Sequence, residues 1–276
     1  IGDPPNIMIG SAVKELTFAA FIENLTLIAA IDLVAVVAIF ALLYRRELHT
    51  KPDLAAEIMQ LDAKKEIKDW PLLYRCLLVL ALTITGFFTH AALGMESSVI
   101  ALAGAFFLLL IAGKKRSLAE YALRQVEWTT IFFFIGLFAA VGALVETGII
   151  RQAAVAAMEL TGGDTVRTSF LVLWLSAIVS SVLDNIPFVA TMIPLVQDMG
   201  SLGSMNLEPI WWSLSLGACL GGNGTLIGAS ANLITAGLAA ERGVEITFLR
   251  YLKVGFPLML LTVFLSMIYI YLRYLM

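Results

Sequence analysis

Polar residues of the types that bind small cations interrupt two apolar regions of this chain. Residues 180–191 read SSVLDNIPFVAT, and residues 221–232 read GGNGTLIGASAN. Hard cations such as Na⁺ prefer oxygen ligands, which carboxylate, amide, hydroxyl and carbonyl groups supply. An interrupted helix also leaves free carbonyls at one end and free N–H groups at the other, and these favour cations and anions respectively. The two stretches are therefore candidates for the two halves of an ion-binding site.

The first stretch has a lone carboxylate between apolar runs. An ionised side chain at membrane depth is costly, so Asp184 is a functional candidate; the alternative is that Asp184 and Asn185 only cap a turn. In the second stretch, the glycines permit backbone exposure to a ligand, or alternatively close helix packing. The candidate ion- or substrate-binding residues are Ser181, Asp184, Asn185, Thr191, Gly222, Asn223, Gly224, Thr225, Gly228, Ser230 and Asn232, with a possible Na⁺ site at Asp184, Asn185 and Asn223.

The start of the chain resembles the second stretch. Residues 1–9, IGDPPNIMI, align with 227–235, IGASANLIT, and ELTF at 15–18 matches EITF at 245–248. Such an echo predicts an internally duplicated transporter with two broken spans. Asp3 and Asn6 are then further candidates for the site, although Asp3 is alternatively a polar turn residue beside two prolines.

Composition indicates the elements that hold these stretches. Of the 276 residues, 60% are hydrophobic and 14% are charged. A soluble domain carries about 25% charged residues, so we predict an all-α polytopic membrane protein. A full span needs about 20 apolar residues. The predicted spans are 24–43, 72–90, 97–113, 129–149, 208–239 (broken) and 252–272, and two shorter runs occupy 168–182 and 186–199.

The basic residues predict the orientation. Of the 18 Lys and Arg residues, seven lie in 44–75, four in 114–127 and three in 240–253, which places these segments in the cytoplasm. The flanking spans of the two copies then run in opposite directions, as in an inverted repeat. The runs within 168–199 are short for full crossings, which favours a re-entrant hairpin, although charge alone also permits two spans.

The predicted spans and the repeat divide the chain into three parts. Residues 1–43 are the end of a first repeat, 44–71 a cytoplasmic linker, and 72–276 a second repeat. The linker contains either a helix lying on the membrane surface or a solvated charged helix at 51–69.

The opening on Ile1 suggests part of a longer protein. Cys76 and Cys219 are interpreted as small buried side chains, and Asp32 as a proton carrier or an interhelical hydrogen-bond partner.

The two interrupting stretches together carry a resemblance. LDNIPF at 183–188 followed by GGNGTLIG at 221–228 resembles the ion transporter superfamily, and its ArsB/P protein/NhaD-like group with a citrate transporter-like domain. IGDPPNIMIG at 1–10 and VEWTTIFFF at 126–134 resemble that group's repeat motifs. The resemblance implies two inverted repeats with hairpins, a scaffold and a moving transport domain, and a homodimer. Members carry arsenite, dicarboxylates, citrate or sulfate, or exchange Na⁺ for H⁺.

The expected function is secondary active transport of a small ion or oxyanion, coupled to Na⁺ or H⁺, across a cell membrane, such as a bacterial inner membrane. The rival is a membrane scaffold or accessory subunit that kept the fold without transport. We expect no enzymatic activity, no cofactor other than the coupling ion, and no nucleic-acid partner; the partners are the bilayer and a small ion. Carboxylates without nearby Lys or Arg favour a cation or a neutral species, but antiport and symport stay open.

Overall fold

The structure is a computed structural model that describes residues 2–46, 67, 69–112, 116–203 and 205–276. The described chain is built from α-helices. They are α1 Pro4–Ala12, α2 Phe18–Leu43, α3 Trp70–Leu93, α4 Ser97–Ile111, α5 Arg116–Arg124, α6 Trp128–Glu146, α7 Ile149–Thr161, α8 Thr165–Ser180, α9 Asn185–Leu202, α10 Glu208–Gly221, α11 Ser230–Glu241 and α12 Phe248–Ile270, which continues as a π-helical turn over Tyr271–Leu275. The predicted surface helix at 51–69 lies almost entirely outside the described residues.

Four of the described helices are long and apolar enough to cross a bilayer. They span Phe18–Leu43, Trp70–His90, Trp128–Glu146 and Phe248–Leu275. In the first three helices most large apolar side chains are exposed, which suits helices whose solvent is lipid. Phe248–Leu275 is more buried, with 33% of its span inside the protein. The all-α membrane class predicted from composition is thus confirmed. The span predicted at 97–113 forms a helix of only 15 residues, Ser97–Ile111.

The span predicted at 129–149 ends earlier than expected. Helix α6 stops at Glu146, and Gly148 adopts a left-handed conformation with φ of 74° before α7 begins. Glycine reaches this conformation without a steric penalty, so it turns the chain here. Helix α7 was not predicted, because its mixture of Arg151, Gln152 and Glu159 with alanines gives no long apolar run.

The chain divides into two compact units. One unit contains Ile1–Leu16, Ala20–Asp32 and Thr129–Met276, and the other contains Thr17–Ala19 and Leu33–Trp128. In the second unit α3 packs on α4, and Gly104 lies directly against Thr83. Every candidate site residue from the sequence lies in the first unit.

The core of the first unit is formed around α10. Every residue from Pro209 to Ala218 is buried, as expected of a helix that is apolar on all sides. Helix α8 packs along α10, and α12 also contacts it. Phe21 of α2 makes an edge-to-face contact with Trp212, with ring centroids 5.2 Å apart. Helix α10 therefore lies in the middle of this core, and it ends there at Gly221.

Candidate functional site

Both interruptions predicted from the sequence are present in the backbone. Helix α10 ends at Gly221 and α11 begins at Ser230, so residues 222–229 form a non-helical break. Helix α8 ends at Ser180 and α9 begins at Asn185, so residues 181–184 form a turn. The glycine run and the Asp-Asn-x-Pro sequence therefore interrupt helices as expected. The re-entrant course of α8 and α9 and the inverted repeat stay predictions.

The break packs directly on the turn. The hydroxyl of Thr225 donates a hydrogen bond to the carbonyl of Ser181, and both residues are buried. The hydroxyl of the preceding residue, Ser180, donates to the carbonyl of Ala218 over 2.7 Å. These bonds satisfy backbone carbonyls close to the ends of α8 and α10, where the helices leave such groups unpaired.

The glycines of the break serve this close contact. A Cβ atom at Gly224 would lie 2.8 Å from Cβ of Ser181, and one at Gly228 would lie 2.8 Å from the Ser181 carbonyl oxygen. A Cβ at Gly222 would lie 3.1 Å from the carbonyl oxygen of Gly228. All three glycines are buried. The sequence left two roles open for these glycines, backbone exposure to a ligand and close packing. The space beside each is filled by protein atoms, as close packing requires.

Asn232 holds the two ends of the break together. Its side-chain amide donates to the carbonyl of Gly222 over 3.0 Å and to the carbonyl of Thr225 over 3.1 Å. The sequence analysis considered only its oxygen as an ion ligand. The structure assigns its nitrogen a role in fixing the backbone, which leaves the oxygen as the atom available to a ligand.

The start of the chain meets the same region. Asp3 precedes α1 and accepts a hydrogen bond from the side-chain amide of Asn185 over 3.4 Å. Asn6 is 5% exposed, and its oxygen accepts from the Ser215 hydroxyl over 2.6 Å. The Cys219 thiol lies 3.6 Å from that same oxygen. Residues more than 180 positions apart therefore meet at one polar junction, which we define as Asp3, Asn6, Asn185, Ser215 and Cys219.

Sequence reasoning missed two members of this polar junction. Ser215 and Cys219 lie in the apolar half of the broken span, where small polar residues look like ordinary packing residues. The available signal was their i, i+4 spacing, which places both side chains on one face of α10. Neither thiol forms a disulfide: Cys76 and Cys219 are both free.

The remaining candidates lie outside the hydrogen bonds of the polar junction. Asp184 is exposed, and its carboxylate caps α9 by accepting from the N–H of Ile186 over 3.1 Å. The Thr191 hydroxyl donates to the carbonyl of Phe188 within α9. Asn223 and Ser230 are exposed. Of the possible Na⁺ ligands, Asn185 is bonded to Asp3 rather than to Asp184 or Asn223.

A helical membrane protein with an interrupted span and buried polar groups at the interruption has the features of a transporter. The chain matches the family described as Citrate transporter over residues 1–217. This chain therefore belongs to that citrate transporter family, which confirms the resemblance to the ion transporter superfamily.

Curated relatives support the same assignment. An uncharacterized transporter of Mycobacterium tuberculosis is 42% identical over 276 residues, covering 99% of this chain and 63% of the relative. The 46 kDa membrane protein of Mycobacterium leprae is 39% identical, covering all of this chain and 64% of the relative. The human P protein is 37% identical over 223 residues, covering 77% of this chain and 26% of the relative. The chain thus spans less than two thirds of these relatives, and no solved structure shows significant similarity to it.

Proposed function

We propose that this chain forms part of a secondary active transporter that moves a small ion or oxyanion across the membrane, coupled to Na⁺ or H⁺. The observation that carries the proposal is that the break 222–229 packs on the turn 181–184, and that Asp3, just before α1, bonds to Asn185 directly after that turn. Irregular backbone at membrane depth is tolerated where it is buried in protein or lines a cavity. A subunit with only a scaffold role has no need for three such segments in one place.

The chemistry of the polar junction favours a cation as the coupling species. It offers the Asp3 carboxylate, the amide groups of Asn6 and Asn185, and nearby backbone carbonyls. These are the oxygen ligands that hard cations prefer. The family description supports an organic anion such as citrate as the transported species. A cation bound beside Asp3 then supplies positive charge for that anion.

The broader architecture is part of the same proposal. We expect an inverted repeat, a homodimer and a location in the cell membrane. The basic segments, including residues 44–71, face the cytoplasm under this proposal, as the positive-inside rule requires.

Uptake by purified full-length protein in liposomes tests the proposal. Labelled citrate and arsenite are offered with an inward Na⁺ gradient, an inward H⁺ gradient, or no gradient. We expect gradient-dependent accumulation of one of the two anions, and we expect Asn6→Ala to reduce it. The absence of uptake of either compound with any gradient, from protein that is folded and inserted, supports the scaffold role instead.

A further inference from the structure

A second buried carboxyl group lies apart from the polar junction. Asp32 is near the middle of α2, and 5% of the residue is exposed. The Ser266 hydroxyl on α12 donates to its Oδ2 over 3.5 Å, and Ser266 is completely buried. Among the residues that the structure describes, Oδ1 of Asp32 has no hydrogen-bond partner.

This environment does not suit an ionised carboxylate. A buried charge is tolerated when it is paired and hydrogen-bonded, and a carboxylate has room for several donors. Asp32 receives one long hydrogen bond at one oxygen only. A proton on Oδ1 removes the charge and leaves Oδ2 as the carbonyl oxygen that accepts from Ser266.

The ionisable groups of the helices that surround this core are engaged elsewhere. Arg273 and Tyr274 both donate to the side-chain oxygen of Asn24, over 2.9 and 2.6 Å. Tyr269 donates to the backbone oxygen of Asn24. Asn24, the residue that accepts all three bonds, lies two turns before Asp32 on α2.

The other charged groups on these helices are distant or turned outward. Glu208 of α10 accepts from the indole N–H of Trp212. Lys253, Arg250 and Tyr251 lie near the beginning of α12, and Lys253 is about 20 Å along the helix from Ser266 at 1.5 Å per residue. On α2, Glu23 is exposed.

In the repeat predicted from the sequence, the second copy has no carboxyl group at the corresponding place. The match of ELTF at 15–18 with EITF at 245–248 aligns Asp32 with Thr262. Thr262 is also buried, and its hydroxyl donates to the carbonyl of Met259 in its own helix. A position that needed only an internally satisfied polar residue is thus filled by threonine in the second copy.

We infer that Asp32 is the proton-carrying residue of the transport cycle, at a site separate from the polar junction. This inference rests on the proposed transport function. In the packed arrangement of α2 and α12, the Oδ1–H bond is intact. When the contact with Ser266 opens to water, that bond breaks, the proton passes to water and the carboxylate stays on Asp32.

Infrared difference spectroscopy of the full-length protein tests the protonation directly and does not require transport. We expect the wild-type spectrum to contain the C=O stretch of a protonated carboxylic acid, and we expect Asp32→Asn to remove it. Ser266→Ala should shift the band to higher frequency, because the carbonyl oxygen loses its donor. Glu23→Gln, an exposed carboxylate on the same helix, is the control and should leave the band in place. The inference is overturned if the wild-type spectrum contains no such band, or if the band persists in Asp32→Asn.

Two transport assays then test the coupling role. Asp32→Asn should retain exchange of labelled for unlabelled substrate, which needs no net proton movement, and should lose accumulation driven by a pH gradient. Retention of pH-driven accumulation in Asp32→Asn overturns the coupling role. Failure of the proposed function is distinguishable, because the wild-type protein then fails both transport assays while the infrared band still reports on Asp32.

Discussion

At the scale of single residues, polar side chains in the break and directly after it donate hydrogen bonds to backbone carbonyls of the two interruptions. Thr225 donates to Ser181 across the two interruptions, and Asn232 donates to Gly222 and Thr225 within one of them. Both side chains were predicted as ion ligands from their oxygens. Their observed bonds add a structural role that substitutions can separate from ion binding.

Thr225→Val should destabilise the protein more than Thr225→Ser, because serine keeps the hydroxyl and loses only a methyl group. Valine has nearly the shape of threonine but has no hydroxyl, so the buried Ser181 carbonyl loses its donor. Leaving a buried polar group unsatisfied costs about 1–3 kcal/mol. Thermal unfolding of the purified protein in detergent measures the difference. Equal stability of the valine and serine variants would contradict the role of this hydrogen bond.

Asn232→Asp separates the amide nitrogen from the oxygen. The carboxylate keeps an oxygen for a cation but replaces the donor with an acceptor beside two carbonyls. We therefore expect Asn232→Asp to be less stable than Asn232→Ala, with the alanine variant losing about 1–3 kcal/mol. Unfolding of both variants, with and without added Na⁺, is the measurement. An Asn232→Asp variant that is as stable as the wild-type protein without Na⁺ would contradict the role of the amide nitrogen. Stabilisation of the aspartate variant alone by Na⁺ would show that a cation can reach the oxygen at this position.

At the scale of elements, the pairing of α8 with α10 positions the turn against the break. A Cβ atom at Gly217 would lie 2.4 Å from the carbonyl oxygen of Leu173, and one at Gly221 would lie 2.4 Å from that of Ala177. These two glycines are four residues apart, the spacing that allows helices to approach closely in membranes. The helices therefore touch through their backbones. This contact brings the turn that follows α8 next to the break that follows α10.

Gly217→Ala should force α8 and α10 apart. The obstructing atom is backbone, which cannot move aside as a flexible side chain does, and overpacking costs about 1–3 kcal/mol. Gly237→Ala is the matched control, because Gly237 lies inside α11 with no atom within 4 Å of an added Cβ. Alanine in a helix is favoured over glycine by up to about 1 kcal/mol. We expect a lower unfolding temperature for Gly217→Ala and an unchanged or higher one for Gly237→Ala.

The sequence predicted those elements that have a strong local signal. Apolar runs identified the long helices, and the glycine run and Asn185-x-Pro187 located the two interruptions to within a few residues. Helix α7 was missed because its polar residues Arg151, Gln152 and Glu159 leave no long apolar run. The 15-residue α4 was expected as a span of 17 residues because hydrophobicity alone does not show where a helix ends.

The contacts of the candidate site were less predictable than its elements. Asn6 was chosen from the repeat, but its partner Ser215 lies 209 positions away and depends on how α1 packs on α10. One sequence shows which residues are polar and does not show which of them meet. Likewise, it could not distinguish glycines that expose backbone from glycines such as Gly224 and Gly228 that pack against Ser181.

At the scale of the whole molecule, the proposed transport cycle requires a charged group near the two interruptions that binds the coupling ion. Asp184 is exposed at the turn and also caps α9, so both a functional and a structural role fit its position. Asparagine is as good an N-cap as aspartate. The substitution Asp184→Asn therefore removes the charge and keeps the cap.

Asp184→Asn should abolish gradient-driven uptake in liposomes while leaving the unfolding temperature unchanged. A carboxylate that helps to bind the coupling cation contributes about 1.5–3 kcal/mol through its hydrogen bonds and charge, and its loss should weaken cation binding about 10- to 100-fold. Asp164→Asn is the matched control. Asp164 caps α8 in the same way, by accepting from the N–H of Arg167 over 2.8 Å. It therefore tests an equal change of side chain away from the two interruptions.

The pair of variants separates capping from coupling. If uptake and its dependence on Na⁺ and pH are normal in both asparagine variants, the Asp184 carboxylate is only a helix cap. If both variants lose uptake, the loss follows from the change at a helix terminus rather than from the charge at the turn. Loss of uptake in Asp184→Asn alone, with both proteins equally stable, assigns the charge at the turn to the binding of the coupling ion. That result also requires the turn to be reached by the ion from water, which a cysteine at position 184 would report through labelling by a membrane-impermeant thiol reagent.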